Sequence, residues 1–350
     1  MSAPIVPEPA EKMNYNTFDG LETGHKSAEA IRKSLAHIGQ LQGNEDILPE
    51  HEENLKVFER MYQFERIKRP YHLGHLLLLL YVPVGIMLLI LRLSILFTTA
   101  LIVPNLFSEN QIDRFGIHKA YCLVTGTIVR VNNKERLSEN NPPPIIVANH
   151  ISEFDAVALR WLCPSYVLGY DFYKKMLFFR LLKDKFGLVY VPYGSRTQGN
   201  GQARDELREV IVERLNRGDK PLMCFPEGGL TNGRLGLLQY HKFLFSLGKE
   251  IQPLAIRVTD GPFPVNINDE TSTFVANVLW YFFIPWHVYT ITVMPRTHAE
   301  PDEDALAFAQ RVMKDTARLL DQQATAFLYR DKITFTRYKN KVLKGGKRDK

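Results

Sequence analysis

The sequence predicts an α/β domain with a central mixed or mainly parallel sheet flanked by helices, preceded by a membrane-embedded helical hairpin. Three observations lead there. Short runs rich in Ile, Val and Leu, at Ile145–Ala148, Gly187–Val191, Pro221–Phe225 and Ile251–Ile256, read as buried strands. Between two of them, Ala203–Arg217 carries Leu207, Val210, Ile211 and Leu215 at helical spacing, and strands alternating with helices define α/β layers. Ahead of them all lies the apolar run Leu73–Leu91, continued beyond Arg92 to Val103, with Pro83 and Gly85 at its centre.

Taken in order, residues 1–70 form a polar N-terminal region, expected to lack regular structure apart from a short helix near Ser27–Ile38. Leu55, Phe58, Met61, Tyr62 and Phe64 recur at near-helical spacing, so an amphipathic helix precedes Lys68-Arg69-Pro70 and lies on a membrane surface or packs on the domain. No signal peptide is expected, because the first long apolar run begins after residue 70.

Residues 71–104 are the expected membrane hairpin. The nineteen residues Leu73–Leu91 would rise roughly 28 Å as a helix, enough to cross a bilayer core. Pro83 and Gly85 argue for a bend instead. Lys68 and Arg69 place the N-terminal flank in the cytosol, and no Asn-x-Ser/Thr sequon occurs in the chain. A hairpin in one leaflet keeps both flanks cytosolic.

Residues 111–300 hold the domain. A helix and a β-like run, Cys122–Val131, precede the polar loop Asn132–Pro144. Gly218 is the expected C-cap of Ala203–Arg217. The aromatic-rich stretch Phe274–Pro295 reads as core or as an interfacial belt. Residues 301–350 comprise an amphipathic helix, Ala305–Leu320, and a basic tail. Residues 331–350 carry eight Lys/Arg and two Asp, which accounts for the whole formal charge of +6. No nucleic-acid motif accompanies them, so nucleic acid is not an expected partner; an anionic lipid surface or plain solvent is. The three cysteines, Cys122, Cys163 and Cys224, lie apart in apolar runs, read as free buried thiols.

Chemistry concentrates in two blocks. Ile145–Ala148 leads into Asn149-His150, and Asp155 follows at the expected start of a helix. A carboxylate that fixes the tautomer of a nearby imidazole suits it to general base work, while a capping Asp beside a structural His is the ordinary alternative. The second block is Phe225-Pro226-Glu227-Gly228-Gly229-Leu230-Thr231-Asn232-Gly233-Arg234, a strand end followed by a polar Gly-rich loop that can turn backbone N–H groups toward an anion.

Asn149-His150 with Asp155, then Gly187–Val191, then Phe225-Pro226-Glu227-Gly228, then Ile251–Ile256, resemble in that order the PlsC-type glycerolipid acyltransferase family, over roughly residues 120–300. Leu76–Gly85, Thr231–Leu238 and Leu279–Tyr289 resemble more closely the ancient ubiquitous protein family, hairpin-anchored proteins of the endoplasmic reticulum and lipid droplets. In that family an acyltransferase-like domain precedes a CUE ubiquitin-binding module and a helix that recruits a ubiquitin-conjugating enzyme. The resemblance implies a membrane protein on the cytosolic face of the endoplasmic reticulum and on droplets, acting in droplet formation, with membrane lipids and the quality-control and ubiquitin machinery as partners. The CUE module is expected to be absent here. The alternative is an active acyl-CoA-dependent lysophospholipid or glycerol-phosphate acyltransferase. In it His150 would be the base and Asp155 its orienting partner. Asn149, Glu227, Gly228 and Thr231 would hold the acceptor, and Arg196 or Arg234 its phosphate. No metal and no cofactor are expected, with acyl-CoA as co-substrate. Two departures stand out: Tyr193 lies near the place where catalytic relatives have an arginine, and Gly229 replaces the threonine of their Pro-Glu-Gly-Thr.

Overall fold

The computed structural model describes residues 57–137, 141–183, 185–191 and 201–345. The helix expected near Ser27–Ile38, Tyr193 and Arg196 lie outside the described residues.

The elements run α1 (Leu73–Leu106), α2 (Glu109–Arg114), α3 (Ile117–Thr125), β1 (Thr127–Asn132), β2 (Ile145–Ala148), α4 (Asp155–Arg160), β3 (Tyr166–Tyr170), α5 (Leu177–Leu181), β4 (Leu188–Val191) and α6 (Gly201–Arg217). There follow β5 (Leu222–Cys224), β6 (Gly236–Leu237), β7 (Ile251–Asp260), α7 (Phe274–Phe283), β8 (His287–Val293), α8 (Ala305–Leu320), β9 (Gln323–Ala324) and α9 (Tyr329–Gly345). Seven strands form one sheet in the order β1-β8-β7-β2-β5-β3-β4. Every pairing in it is parallel except β7 with β8. The sheet is therefore mixed and mainly parallel. At its centre lies β2, all four residues buried, with Ile145 opposite both Leu222 and Ile251. A strand flanked on both sides and covered on both faces has no place for polar residues, which is why it reads as an unbroken apolar run.

One face of the sheet packs on α8 through Phe308, Val312, Met313 and Leu320. The other lies under α4 and α7, where Ile146, Ala148, Leu254 and Ile256 meet Ala158, Leu159 and Tyr281–Ile284. Asp304 caps α8 through the N–H groups of Leu306 and Ala307, and Gly218 follows α6 at φ +64°.

The apolar segment departs from the expected hairpin. It is one helix of 34 residues with Pro83 inside it. Proline removes a single helical hydrogen bond, and packing along the whole length compensates. Leu78, Gly85, Arg92, Leu96, Ala100 and Pro104 form a buried stripe against the domain. Gly85 is a point of close approach, not a bend: a Cβ there would stand 2.4 Å from the Phe283 ring. The Arg92 guanidinium donates to the carbonyl oxygens of Phe282 (2.8 Å), Ile284 (2.6 Å) and Pro285 (2.6 Å). It thereby pins mid-helix to the turn between α7 and β8. The opposite face of α1 leaves Leu76, Leu80, Met87, Ile90 and Leu101 exposed.

Other expectations shift in detail. Cys122 belongs to α3, and the strand begins only at Thr127. The three cysteines are free, with Cys122 and Cys224 buried and Cys163 partly so. Of the two readings of residues 55–64, packing holds: Phe58, Met61 and Tyr62 are buried against Leu238, Phe327 and Phe335. Residues 331–345 of the basic tail belong to α9, whose Phe335 joins that cluster and whose Asp331 and Lys332 are buried. Within Phe274–Pro295, Tyr281 and Tyr289 are core, whereas Val275, Leu279 and Trp286 are exposed.

Candidate active site

Parallel β2 and β5 bring two loops together at their C-terminal ends, one beginning at Asn149-His150 and the other at Phe225-Pro226-Glu227. His150 Nδ1 lies 2.9 Å from Asp155 Oδ2. The same oxygen accepts the N–H groups of Ile151 (2.6 Å) and Ser152 (3.0 Å). Asp155 is the first residue of α4 and fully buried, so its carboxylate closes the turn and sits at the positive end of the helix. With Nδ1 committed to Asp155, Nε2 is the nitrogen that can take a proton from a substrate. The imidazole stacks on Phe225 at 4.1 Å and 11°, which fixes the ring plane.

Glu227 is 2% exposed. Its Oε1 accepts the backbone N–H of His150 at 2.7 Å, and its Oε2 that of Leu238 at 2.8 Å. Burial pushes its carboxyl up to about 8, against the pull of those two hydrogen bonds. Both oxygens accept backbone N–H groups, so the expectation that Glu227 holds the acceptor gives way: it ties the two loops together. Asn149 is corrected in the same sense. Its side chain exchanges two hydrogen bonds with the Ile256 backbone, at 2.7 and 3.0 Å, extending the β2–β7 ladder by one residue. Thr231 is buried too, its N–H donating to the His150 carbonyl at 2.9 Å. Arg234 is exposed and does not line the cavity described next. Gly228, at φ +71°, does line it.

A cavity of ≈ 1020 Å³ opens beside His150. It runs along the sheet face past Val167 and Leu188 and beneath α5 and α7 to Leu93, Leu96 and Phe97 of α1. Most of its wall is apolar. Near His150 it becomes polar, with Glu153, Tyr170, Asn268, Glu270, Tyr329 and Lys332. Lys332 is engaged there, donating to the Leu230 carbonyl (2.8 Å) and pairing with Glu270 (2.7 Å). Sequence reasoning missed Phe225, Tyr329 and Lys332 as site residues. The i, i+3, i+4 spacing of Leu93, Leu96 and Phe97 marks a face of α1, yet nothing local says that this face lines a cavity.

A family model described as Acyltransferase matches residues 128–257. The chain is 31% identical over 279 residues to "Lipid droplet-regulating VLDL assembly factor AUP1" of Danio rerio, covering 78% of this chain and 61% of that protein. The Homo sapiens protein of the same name is 28% identical over 260 residues, covering 73% of this chain and 58% of that one. The Caenorhabditis elegans homolog is 26% identical, covering 68% and 57%. The chain thus spans between 57% and 61% of the length of these relatives. Among solved structures it is similar to the 1-acyl-sn-glycerophosphate acyltransferase PlsC of Thermotoga maritima, with TM-score 0.49 and 14% identity, covering 69% of this chain and 97% of that one.

Proposed function

We propose that the chain is an AUP1-like protein of the PlsC-type acyltransferase family, a monotopic protein of lipid surfaces that transfers an acyl chain from acyl-CoA to a glycerolipid hydroxyl. One observation carries the reading: a single apolar cavity joins the buried side of α1 to the His150–Asp155 pair. An acyl chain lying along Phe97, Phe178 and Leu188 would bring its thioester to His150. The imidazole Nε2 takes the proton of the acceptor hydroxyl as its oxygen attacks the thioester carbonyl carbon. The carbon–sulfur bond then breaks, and the departing thiolate of CoA takes that proton back. Asp155 holds the imidazole through Nδ1 and stabilises its charged form, and no protein nucleophile takes part.

The seat of α1 supports the monotopic half. From Leu78 to Pro104 its buried stripe runs about 39 Å at 1.5 Å per residue, longer than a bilayer core of roughly 30 Å. A perpendicular span would drag the attached domain through hydrocarbon. Lying in one leaflet, α1 buries its exposed leucines in acyl chains and leaves the domain in water, on a bilayer or on a droplet monolayer alike. The relatives are named as lipid droplet-regulating, and we assign this chain to the droplet surface. By the family resemblance, its seat is the cytosolic face of the endoplasmic reticulum and its partners are the quality-control and ubiquitin machinery.

Purified protein incubated with labelled acyl-CoA and a panel of glycerolipid acceptors tests the chemistry. Label should enter lipid with the parent and not with His150→Ala. Equal incorporation by both, or none by a folded parent, returns the chain to a lipid-binding scaffold.

A further inference from the structure

The Gly228–Gly229 backbone, where a PlsC-type loop would receive its acceptor, is covered from outside the loop. A Cβ on Gly229 would stand 2.3 Å from Tyr329 Cδ2 and 2.5 Å from Cε2. Gly229 does not have a positive φ, so space rather than conformation excludes a side chain there. On the other side Tyr170 donates its hydroxyl to the Gly228 carbonyl at 2.9 Å, and its ring lies 6.4 Å from Tyr329 at 21°. Two tyrosines therefore enclose the dipeptide.

Tyr329 is held there by a strap. Gln322 Nε2 donates to the Gly233 carbonyl at 2.6 Å, Gln323 N to Leu235 at 2.9 Å, and Gln239 N to Phe327 at 2.8 Å. Lys332 fastens the first turn of α9 to Leu230, and Phe335 anchors the next against Phe58 at 5.5 Å. The cations and anions facing this end of the cavity, among the described residues, do not favour phosphate. Lys332 is paired with Glu270, and Glu153 and Asp269 are also on the wall. An anion would meet carboxylates and an aromatic face where a loop of free N–H groups is needed.

We infer that Tyr329 is a specificity-determining residue whose ring, seated on Gly229, admits an uncharged lipid alcohol such as a monoacylglycerol and turns away lysolipids bearing a bare phosphate. This rests on the acyl-transfer reading for its chemistry, but the selection itself is a property of binding.

The test uses the full chain in detergent micelles, loaded with a fluorescent fatty acid as cavity probe and titrated with monoacylglycerol or lysophosphatidate. The parent should release the probe to monoacylglycerol at a concentration about tenfold lower than to lysophosphatidate, and Tyr329→Ala should cut that preference to less than about threefold. Tyr329→Phe should keep the parent's preference. Gly229→Ser, which displaces the ring from beneath, should match Tyr329→Ala and stands in for it if the alanine variant does not fold. A parent without the preference, or folded Tyr329→Ala and Gly229→Ser variants that retain it, overturns the inference. Acyl turnover is measured alongside. A preference that shifts with no turnover in any protein sinks the acyl-transfer reading and leaves Tyr329's role standing; turnover with an unchanged preference does the reverse.

Discussion

The Glu227 carboxyl group accepts the backbone N–H of His150 at 2.7 Å, so the residue that identifies the second sequence block acts on the first through the main chain. With Leu238 N–H on its other oxygen, it sets the spacing between the two loops. Glu227→Gln puts an NH₂ group opposite one of those donors. We expect a loss of about 1–3 kcal/mol, read by denaturant unfolding. An unchanged midpoint would show that the loops need no such tie.

The same residue makes stability depend on pH in a stated direction. Its ordinary value is 4.5, and in the fold it titrates at about 8 because burial disfavours the charged form. Between those values the native state holds more protons than the unfolded chain, so stability falls as pH rises and levels off above about 8. Asp331, raised from 3.8 to about 6, acts in the same sense at lower pH. Unfolding should therefore become easier from about pH 6.5 to 8, with a slope no steeper than about 1.4 kcal/mol per unit. Glu227→Gln should flatten that part of the curve. A parallel slope in the variant would assign the dependence elsewhere.

Arg92 is a charge on an apolar helix that faces the protein. Replacing it with Ala leaves the carbonyls of Phe282, Ile284 and Pro285 without their donor. The expected cost is about 3 kcal/mol or more, with α1 released from α7 and newly open to protease. Arg92→Lys, with one compact ammonium in place of a fork, should recover only part of this.

Pro83 and Gly85 now predict opposite outcomes. Pro83 lies within a continuous helix, so Pro83→Leu should fold normally. Gly85→Leu collides with Phe283 and should destabilise by about 1–3 kcal/mol, as overpacked sites do. In sealed microsomes the chain beyond residue 107 should be as open to protease as the segment before residue 73. Protection of the former alone would mean that α1 spans.

Much of this was legible because it is local. The four apolar residues of Ile145–Ala148 can only be a covered strand, and the spacing of His150 and Asp155 across a strand-to-helix turn allows their hydrogen bond. Gly85 does not declare its role in the sequence, because a glycine in an apolar helix looks alike whether the chain bends or a ring approaches. Sequence shows that Asn149, Glu227 and Thr231 are polar groups near a site, not the direction they face; each turns inward to satisfy backbone. The strap was hidden by charge. Scattered basic residues set the character of Tyr329–Gly345, whereas the residues that fasten it, Tyr329, Lys332 and Phe335, find partners roughly 100 to 280 residues away.

The central claim is that the cavity between α1 and His150 carries an acyl chain. Photolabelling with an acyl-CoA bearing a diazirine at the chain terminus, followed by peptide mapping, tests it without requiring turnover. The account predicts label in peptides carrying Leu93–Phe97 of α1 and Phe178 of α5, competed away by unlabelled acyl-CoA. Label confined to the outer face of α1, at Leu76, Leu80 or Met87, and indifferent to competitor, would contradict it.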